Sequence, residues 1–135
     1  MKKLVLYFAI LATVVACKPT QETKQVFEMP AVEDIAMYQV NPRVFAPENS
    51  LNAVAARIDS IRDLGVNVMW VMPIYPIGIE KGKNSPYCIS DYKAIAPEFG
   101  TIEDFKKLTE TCHEHGMGMI LDCVANHTAW DHPWV

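Results

Sequence analysis

Apolar residues recur along the chain with two different periods, which predicts strands alternating with helices. The segment "IAMYQV" at 35–40 carries no charge and has strand formers in its second half, and Asn41-Pro42 then ends it. "VNVMWVMP" at 66–73 is nearly all apolar, as expected of a strand that is buried on both faces. "MGMILD" at 117–122 is the third predicted strand.

Two helices are predicted between these strands. "SLNAVAARIDSIRDLG" places apolar residues at helical spacing over 51–64, with Ser50 as the expected N-cap and Gly65 as the stop. "TIEDFKKLTETCHEHG" is the second helix, in which Thr101 is the cap, Asp104 follows three residues later and the final glycine ends the helix.

The order strand, helix, strand, helix, strand favours a parallel sheet, and both a doubly wound sheet and a (β/α) barrel fit it. No glycine-rich phosphate turn follows any strand, so a dinucleotide fold has no support. A loop at 74–100, with three Pro and three Gly, is long enough to suggest a functional role. Both architectures place active sites past the strand C-termini. The polar residues at those positions are Asn41, Arg43, Asp122, Asn126 and His127.

The N-terminus "MKKLVLYFAILATVVAC" has the pattern of a secretory signal, with two lysines followed by an apolar run. That run has about 13 residues, whereas a membrane-spanning helix needs roughly 20. Residues 14–17 resemble the lipobox of bacterial lipoprotein precursors, which implies cleavage after residue 16 and a lipid on Cys17. An ordinary signal peptide that contains a cysteine is the alternative.

Composition completes the domain plan. Half of the 135 residues are hydrophobic, which suits one packed domain. The net charge is −4 and the sequence has no basic stripe, which argues against a nucleic-acid partner. Residues 17–33 are polar and without periodicity, so we expect a signal peptide at 1–16, a flexible tether at 17–33 and a folded domain at 34–135.

Three stretches resemble the opening third of the α-amylase superfamily, glycoside hydrolase family thirteen: "IRDLGVNVMWVMPIY", "SPYCISDYKAIAPEFGTIEDFKKL" and "GMGMILDCVANHT". The resemblance runs from about Ala36 to Thr128 and includes the pattern D-x-x-x-N-H at the end of the third strand. It implies an α/β fold, the first three strands and two helices of a (β/α)₈ TIM barrel. The family inserts a small domain after the third strand, so we expect this chain to be a fragment truncated before that domain.

The resemblance assigns two residues to substrate. Tyr87 matches the aromatic platform on which the sugar at the cleaved bond stacks, and His127 matches the imidazole that hydrogen-bonds the primary hydroxyl of that sugar. The alternatives are a loop tyrosine packed on the barrel rim and a capping or structural histidine. Many relatives carry a histidine two residues before the tyrosine, where this chain has Ser85.

Three further residues take supporting roles by resemblance. Asn126 matches a residue whose side-chain carbonyl binds a structural calcium ion between the barrel and the inserted domain, and an amide oxygen suits that metal. Asp122 matches a carboxylate that holds an arginine of the next strand. Asp91 matches a structural carboxylate of the loop.

A retaining glycosidase needs two carboxyl groups about 5–5.5 Å apart. The family takes its catalytic carboxylates from strands four, five and seven, so we expect no catalytic residue in this chain. The resemblance implies that the full-length protein is a lipid-anchored hydrolase of α-linked glucans such as starch and maltooligosaccharides. Its expected location is the bacterial cell envelope, at the outer membrane or cell surface, held to the membrane through Cys17. The alternative is a non-catalytic binding or partner protein built on the same barrel.

Overall fold

The computed structural model describes residues 27–135, so the predicted signal peptide, the lipid on Cys17 and most of the tether lie outside the described residues. Within 27–135, no helix has the length and apolar character needed to cross a membrane. The centre of this part is a three-stranded sheet in the order β1-β2-β3. The strands are β1 (Met37–Val40), β2 (Val68–Val71) and β3 (Gly118–Leu121).

Both strand pairs are parallel, which confirms the predicted sheet. Val40 pairs with Val71, and Val71 pairs with Leu121, so the carboxyl ends of the three strands lie at one edge. The same edge continues one residue further, because Met72 donates to the Val40 carbonyl at 3.0 Å and Asp122 donates to the Val71 carbonyl at 2.9 Å. The segments that follow the strands are thereby brought together.

A short helix that the sequence pattern did not predict follows β1. Asn41, expected to end the strand, is its N-cap, and the Asn41 side chain accepts a hydrogen bond from the Arg43 N–H at 3.1 Å. Pro42 fits the first turn because its missing N–H would be unpaired there in any case. The helices are α1 (Pro42–Phe45), α2 (Ser50–Ala55), α3 (Ile58–Arg62) and α4 (Ile102–Glu114), and a 3₁₀ turn spans Val32–Asp34.

The single helix predicted after Ser50 is wrong, because α2 and α3 are separate. The Arg57 N–H donates to the Val54 carbonyl, three residues back, so the backbone between the two helices forms a tighter turn than an α-helical one. The expected N-cap is also wrong: Asn49 takes that position with a left-handed φ of 48°, and Ser50 is the first helical residue. Gly65, the predicted stop, lies in the turn after α3 at a φ of +86°, and its N–H donates to the Arg62 carbonyl at 2.8 Å.

The second predicted helix is confirmed as α4, together with its cap. The Thr101 hydroxyl accepts from the Asp104 N–H at 3.2 Å, and the Asp104 carboxylate accepts from the Thr101 N–H at 2.7 Å. This reciprocal pair satisfies two N–H groups that the first helical turn leaves free. Gly116 follows the helix at a φ of +69°.

The helices cover one face of the sheet. Met69 and Val71 of β2 belong to the apolar core between sheet and helices, whereas the alternating residues Val68 and Trp70 do not. The helix side of that core consists of Leu51, Val54, Ile58, Ile61, Leu108 and Cys112, all buried. The core holds the strands in place, and the polar segments that follow them lie together at the carboxyl edge of the sheet, where a ligand site can form.

Candidate active-site face

The loop at 74–100 is a closed hairpin over much of its length. Ile77 and Ile89 form an antiparallel bridge, and beside it the Gly78 N–H donates to the Cys88 carbonyl at 2.8 Å. The Ser90 N–H donates to the Pro76 carbonyl at 2.9 Å and closes the base. We refer to residues 76–90 as the hairpin, and it carries Tyr87 near the end of its returning arm.

Arg43 holds the tip of the hairpin from the β1 side. Its Nη1 donates to the Asn84 carbonyl at 2.9 Å, and its Nη2 forms an ion pair with Glu98 Oε1 at 2.9 Å. The guanidinium carbon also lies 5.9 Å from the ring centre of Phe99. The polar residue after β1 therefore contacts the loop that follows β2.

Tyr87 and Asp122 form the direct link between the loops after β2 and β3. The Tyr87 hydroxyl donates to Asp122 Oδ2 at 3.1 Å. Partial burial raises the pKa of Tyr87, and the hydrogen bond to Asp122 and the charge of that carboxylate raise it further. The tyrosine is therefore a neutral donor at physiological pH, and Asp122 has a partner within the chain that the resemblance did not indicate.

Tyr92 holds the segment after β3, a role that sequence reasoning missed. Its hydroxyl lies 2.9 Å from the Val124 carbonyl and 2.8 Å from the His127 carbonyl, so it can donate to either. Its ring stacks on Trp134 with centroids 5.7 Å apart. Tyr92 comes directly after Asp91, but no local pattern marks it as a contact of residues more than 30 positions away.

His127 and Asn126 line an open cavity of about 580 Å³ beside Tyr92 and Trp134. The His127 side chain is exposed, and its Nδ1 lies 3.3 Å from Asn126 Nδ2. If Asn126 donates to Nδ1 in this pair, the ring proton of neutral His127 sits on Nε2. The Nε2–H is then not used by Asn126 and can donate to another group. The structure thus gives Tyr87 and His127 different neighbours, Asp122 for the first and the cavity for the second.

The two remaining predicted residues have local surroundings. Asp91 is exposed, and its carboxylate accepts from the Lys93 N–H at 2.8 Å, which closes a turn. Asn126 offers one amide oxygen, and within residues 27–135 no cluster of three or more His, Cys, Asp or Glu could hold a metal. Calcium takes six to eight oxygen ligands, so a calcium site at Asn126 would need further oxygen ligands beside this amide.

Tyr75, which follows β2, is a further member of this face that the sequence did not indicate. Burial raises its pKa, and so do the nearby Cys123 and Asp122 and the neighbouring Tyr92. The rings of Tyr75 and Tyr92 lie 5.8 Å apart. The face is therefore rich in aromatic rings and hydroxyls around one carboxylate, a composition suited to a ligand with both apolar faces and hydroxyl groups.

Comparison with known proteins agrees with this geometry. Residues 38–135 match the family model of the α-amylase catalytic domain. A probable oligo-1,6-glucosidase of Bacillus subtilis is 36% identical over 108 residues, which cover 76% of this chain and 18% of that protein. An α-amylase from Lactobacillus plantarum is 41% identical with a TM-score of 0.67, over 74% of this chain and 24% of that one. An α-amylase from Geobacillus thermoleovorans complexed with acarbose is 31% identical with a TM-score of 0.69, over 78% and 26%.

The chain belongs to the α-amylase family, and its strands and helices are the N-terminal part of that family's (β/α)₈ barrel. The family is one of glycoside hydrolases, and its members similar to this chain include oligo-1,6-glucosidases and α-glucosidases. The chain spans less than a fifth of the length of the first of these, 18%.

Proposed function

We propose that the complete protein to which this chain belongs is a retaining hydrolase of α-linked glucans, and that this chain supplies part of its sugar-binding face. The observation that carries the proposal is the family match over 38–135 together with the placement of Tyr87 and His127 past the ends of β2 and β3. In barrels of this kind the active site lies at the carboxyl ends of the strands.

Tyr87 supports the proposal through its fixed ring. The hydrogen bond to Asp122 at 3.1 Å restrains the half-buried phenol at its hydroxyl end. An aromatic face held in this way can pack against the apolar face of a sugar ring and exclude water from it. The proposed role of Asp122 is to hold this tyrosine, in addition to any arginine from the following strand.

His127 supports it through hydrogen bonding. Its exposed ring borders the cavity, and a proton on Nε2 would be available for a sugar hydroxyl. Such a hydrogen bond raises kcat if it strengthens in the transition state. The catalytic carboxylates would come from parts of the barrel outside this chain. Calcium binding through Asn126 likewise stays a prediction that requires ligands from elsewhere.

The test uses the full-length protein and the substrates starch, maltotriose and isomaltose. The products are followed by proton NMR during the first minutes, before the anomers equilibrate. We expect at least one substrate to be cleaved with the α-anomer released first. A β-anomer would contradict the retaining mechanism, and a folded protein that cleaves none of the three would favour the non-catalytic alternative.

We also propose that the protein is a lipoprotein of the cell envelope, anchored through Cys17. The support is the sequence alone, a short apolar run that ends in a lipobox-like tetrapeptide. Labelled palmitate should be incorporated into the unaltered protein and lost in Cys17→Ser. Labelling that persists in Cys17→Ser would contradict the anchor.

A further inference from the structure

A short segment after His127 binds both arms of the hairpin. The Ala129 N–H donates to the Ile89 carbonyl of the returning arm at 2.8 Å. The Asp131 carboxylate accepts from the Ile79 N–H at 2.9 Å and the Glu80 N–H at 3.3 Å, both on the outgoing arm. We refer to residues 129–131 as the clasp.

The clasp fixes the relative position of the two sugar-binding candidates. Tyr87 lies two residues before Ile89, and His127 lies two residues before Ala129. The hydrogen bond between Ile89 and Ala129 therefore joins the two segments at points that are each two residues from a candidate. One hydrogen bond permits rotation of the hairpin about it, and the contacts of Asp131 with the other arm restrict that rotation.

The hairpin is shaped to receive this carboxylate. Gly78 is buried, and a Cβ there would overlap Asp131 Oδ1 and lie 2.5 Å from the Ala129 Cβ. The Lys81 Nζ lies 3.6 Å from the ring centre of Trp130, between the two anchoring residues of the clasp. The close approach of hairpin and clasp thus requires a glycine at 78.

The hairpin tip needs support from outside. Lys81, Lys83 and Asn84 have positive φ values of 56°, 46° and 58°, a region that residues other than glycine disfavour. Tyr87 lies three residues after Asn84 on the same hairpin. A tip built from such conformations keeps one shape only while contacts around it hold it there.

We propose that Asp131 is a positioning residue, which fixes the hairpin so that Tyr87 is held in register with His127 for sugar binding. This inference rests on the proposed function. Asp131 is suited to the task because an ionised carboxylate accepts charge-assisted hydrogen bonds, which are stronger than neutral ones. The Ile79 N–H, and the Glu80 N–H with it, lowers the pKa of Asp131 below its ordinary value of 3.8, so the group is charged at neutral pH.

The experiment measures kcat and KM of the full-length enzyme on whichever of maltotriose, isomaltose and starch it cleaves best. Asp131→Ala should lower kcat about 10-fold with little change in KM, because a misplaced group costs transition-state contacts more than ground-state binding. Asp131→Asn should restore kcat to within about 3-fold, since its amide oxygen still accepts from the backbone. Glu80→Ala is the matched control: it removes the same charge from an exposed residue of the hairpin and should leave kcat unchanged, because the backbone N–H of residue 80 still donates to Asp131.

A double-mutant cycle separates positioning from general damage. In a Tyr87→Ala background, Asp131→Ala should cost less than about 2-fold, because the residue that it positions is gone. An equal loss in both backgrounds, or full activity of Asp131→Ala alone, would overturn the inference. If the unaltered protein cleaves no α-glucan, it is the proposed function that fails, and the two failures are distinguishable.

Discussion

The pairing of Tyr87 with Asp122 separates two ways in which one side chain can act. The hydroxyl positions the ring, while the ring itself would contact sugar. Tyr87→Phe keeps the ring and removes only the hydrogen bond, so we expect kcat/KM of the full-length enzyme to fall only about 2- to 5-fold, because this hydrogen bond positions the ring and does not itself contact sugar. Tyr87→Ala removes both and should cost on the order of 10- to 1000-fold. Equal losses in the two variants would show that the ring is not the acting group.

Ser50 is a buried polar residue whose hydroxyl lacks a hydrogen bond within residues 27–135. Its side chain is fully buried. Ser50→Ala should therefore stabilise the full-length protein by about 1 kcal/mol, because an unpaired buried hydroxyl is removed. Denaturant unfolding measures this. Ser60→Ala, at an exposed position of α3, is the control and should lie within about 0.5 kcal/mol of the unaltered protein. A destabilised Ser50→Ala would mean that the hydroxyl has a partner in the complete protein.

Residues that act locally were predictable, and residues that act across the fold were not. Thr101, Asp104 and Gly116 are recognisable because a helix cap depends on neighbours three or four positions away. Tyr92 and Asp131 contact partners 32 and 52 positions away. Contacts between loops that are so far apart along the chain cannot be predicted from local patterns in one sequence. Tyr87 was indicated only through family resemblance, since its surroundings carry no periodic signal. His127 was indicated as a polar residue past the third strand, and only the resemblance gave it a role.

At the scale of elements, the sequence predicts strands better than helix ends. The three short strands lie within mostly apolar runs, and the parallel sheet follows from their alternation with helices. The division between α2 and α3 was missed because no Gly or Pro marks it. The buried positions Leu51, Val54, Ile58 and Ile61 remain on one face across the break, so the apolar pattern reads as one helix.

The start of α4 provides a pH-dependent prediction. The Asn52 side chain lowers the pKa of Asp104 below its ordinary value of 3.8, and the Thr101 backbone and hydroxyl lower it further. A carboxyl whose pKa is lower in the folded state stabilises that state above its unfolded pKa, and the stabilisation is lost as the pH falls through the folded pKa.

Asp104→Asn should therefore weaken the decline of unfolding free energy between about pH 5 and pH 2, because one group that binds a proton on unfolding is removed. Denaturant titrations of the full-length protein at several pH values measure the slope. Glu103→Gln removes the same charge from an exposed position of the same turn and should keep most of the slope. An Asp104→Asn variant with an unchanged slope would contradict the assigned shift.

At the scale of the whole molecule, the sheet of this chain is an open one. Within residues 27–135, β1 and β3 each pair on one side only, through β2. Unpaired strand edges favour association with other chains. Residues 34–135 expressed alone should therefore be insoluble or lack a cooperative thermal transition. A soluble monomer with a sharp calorimetric transition would contradict this.

The central claim is that the segment after β3 contacts sugar in an enzyme of α-glucans, and His127 tests it most directly. His127→Ala in the full-length protein should lower kcat/KM on its best α-glucan substrate by on the order of 10- to 1000-fold with unfolding unchanged, as expected for a lost transition-state hydrogen bond. His113→Ala, an exposed histidine of α4 whose ring stacks on Phe27, is the control and should keep full activity. A His127→Ala enzyme with unaltered kcat/KM on every α-glucan that the parent cleaves would contradict the account.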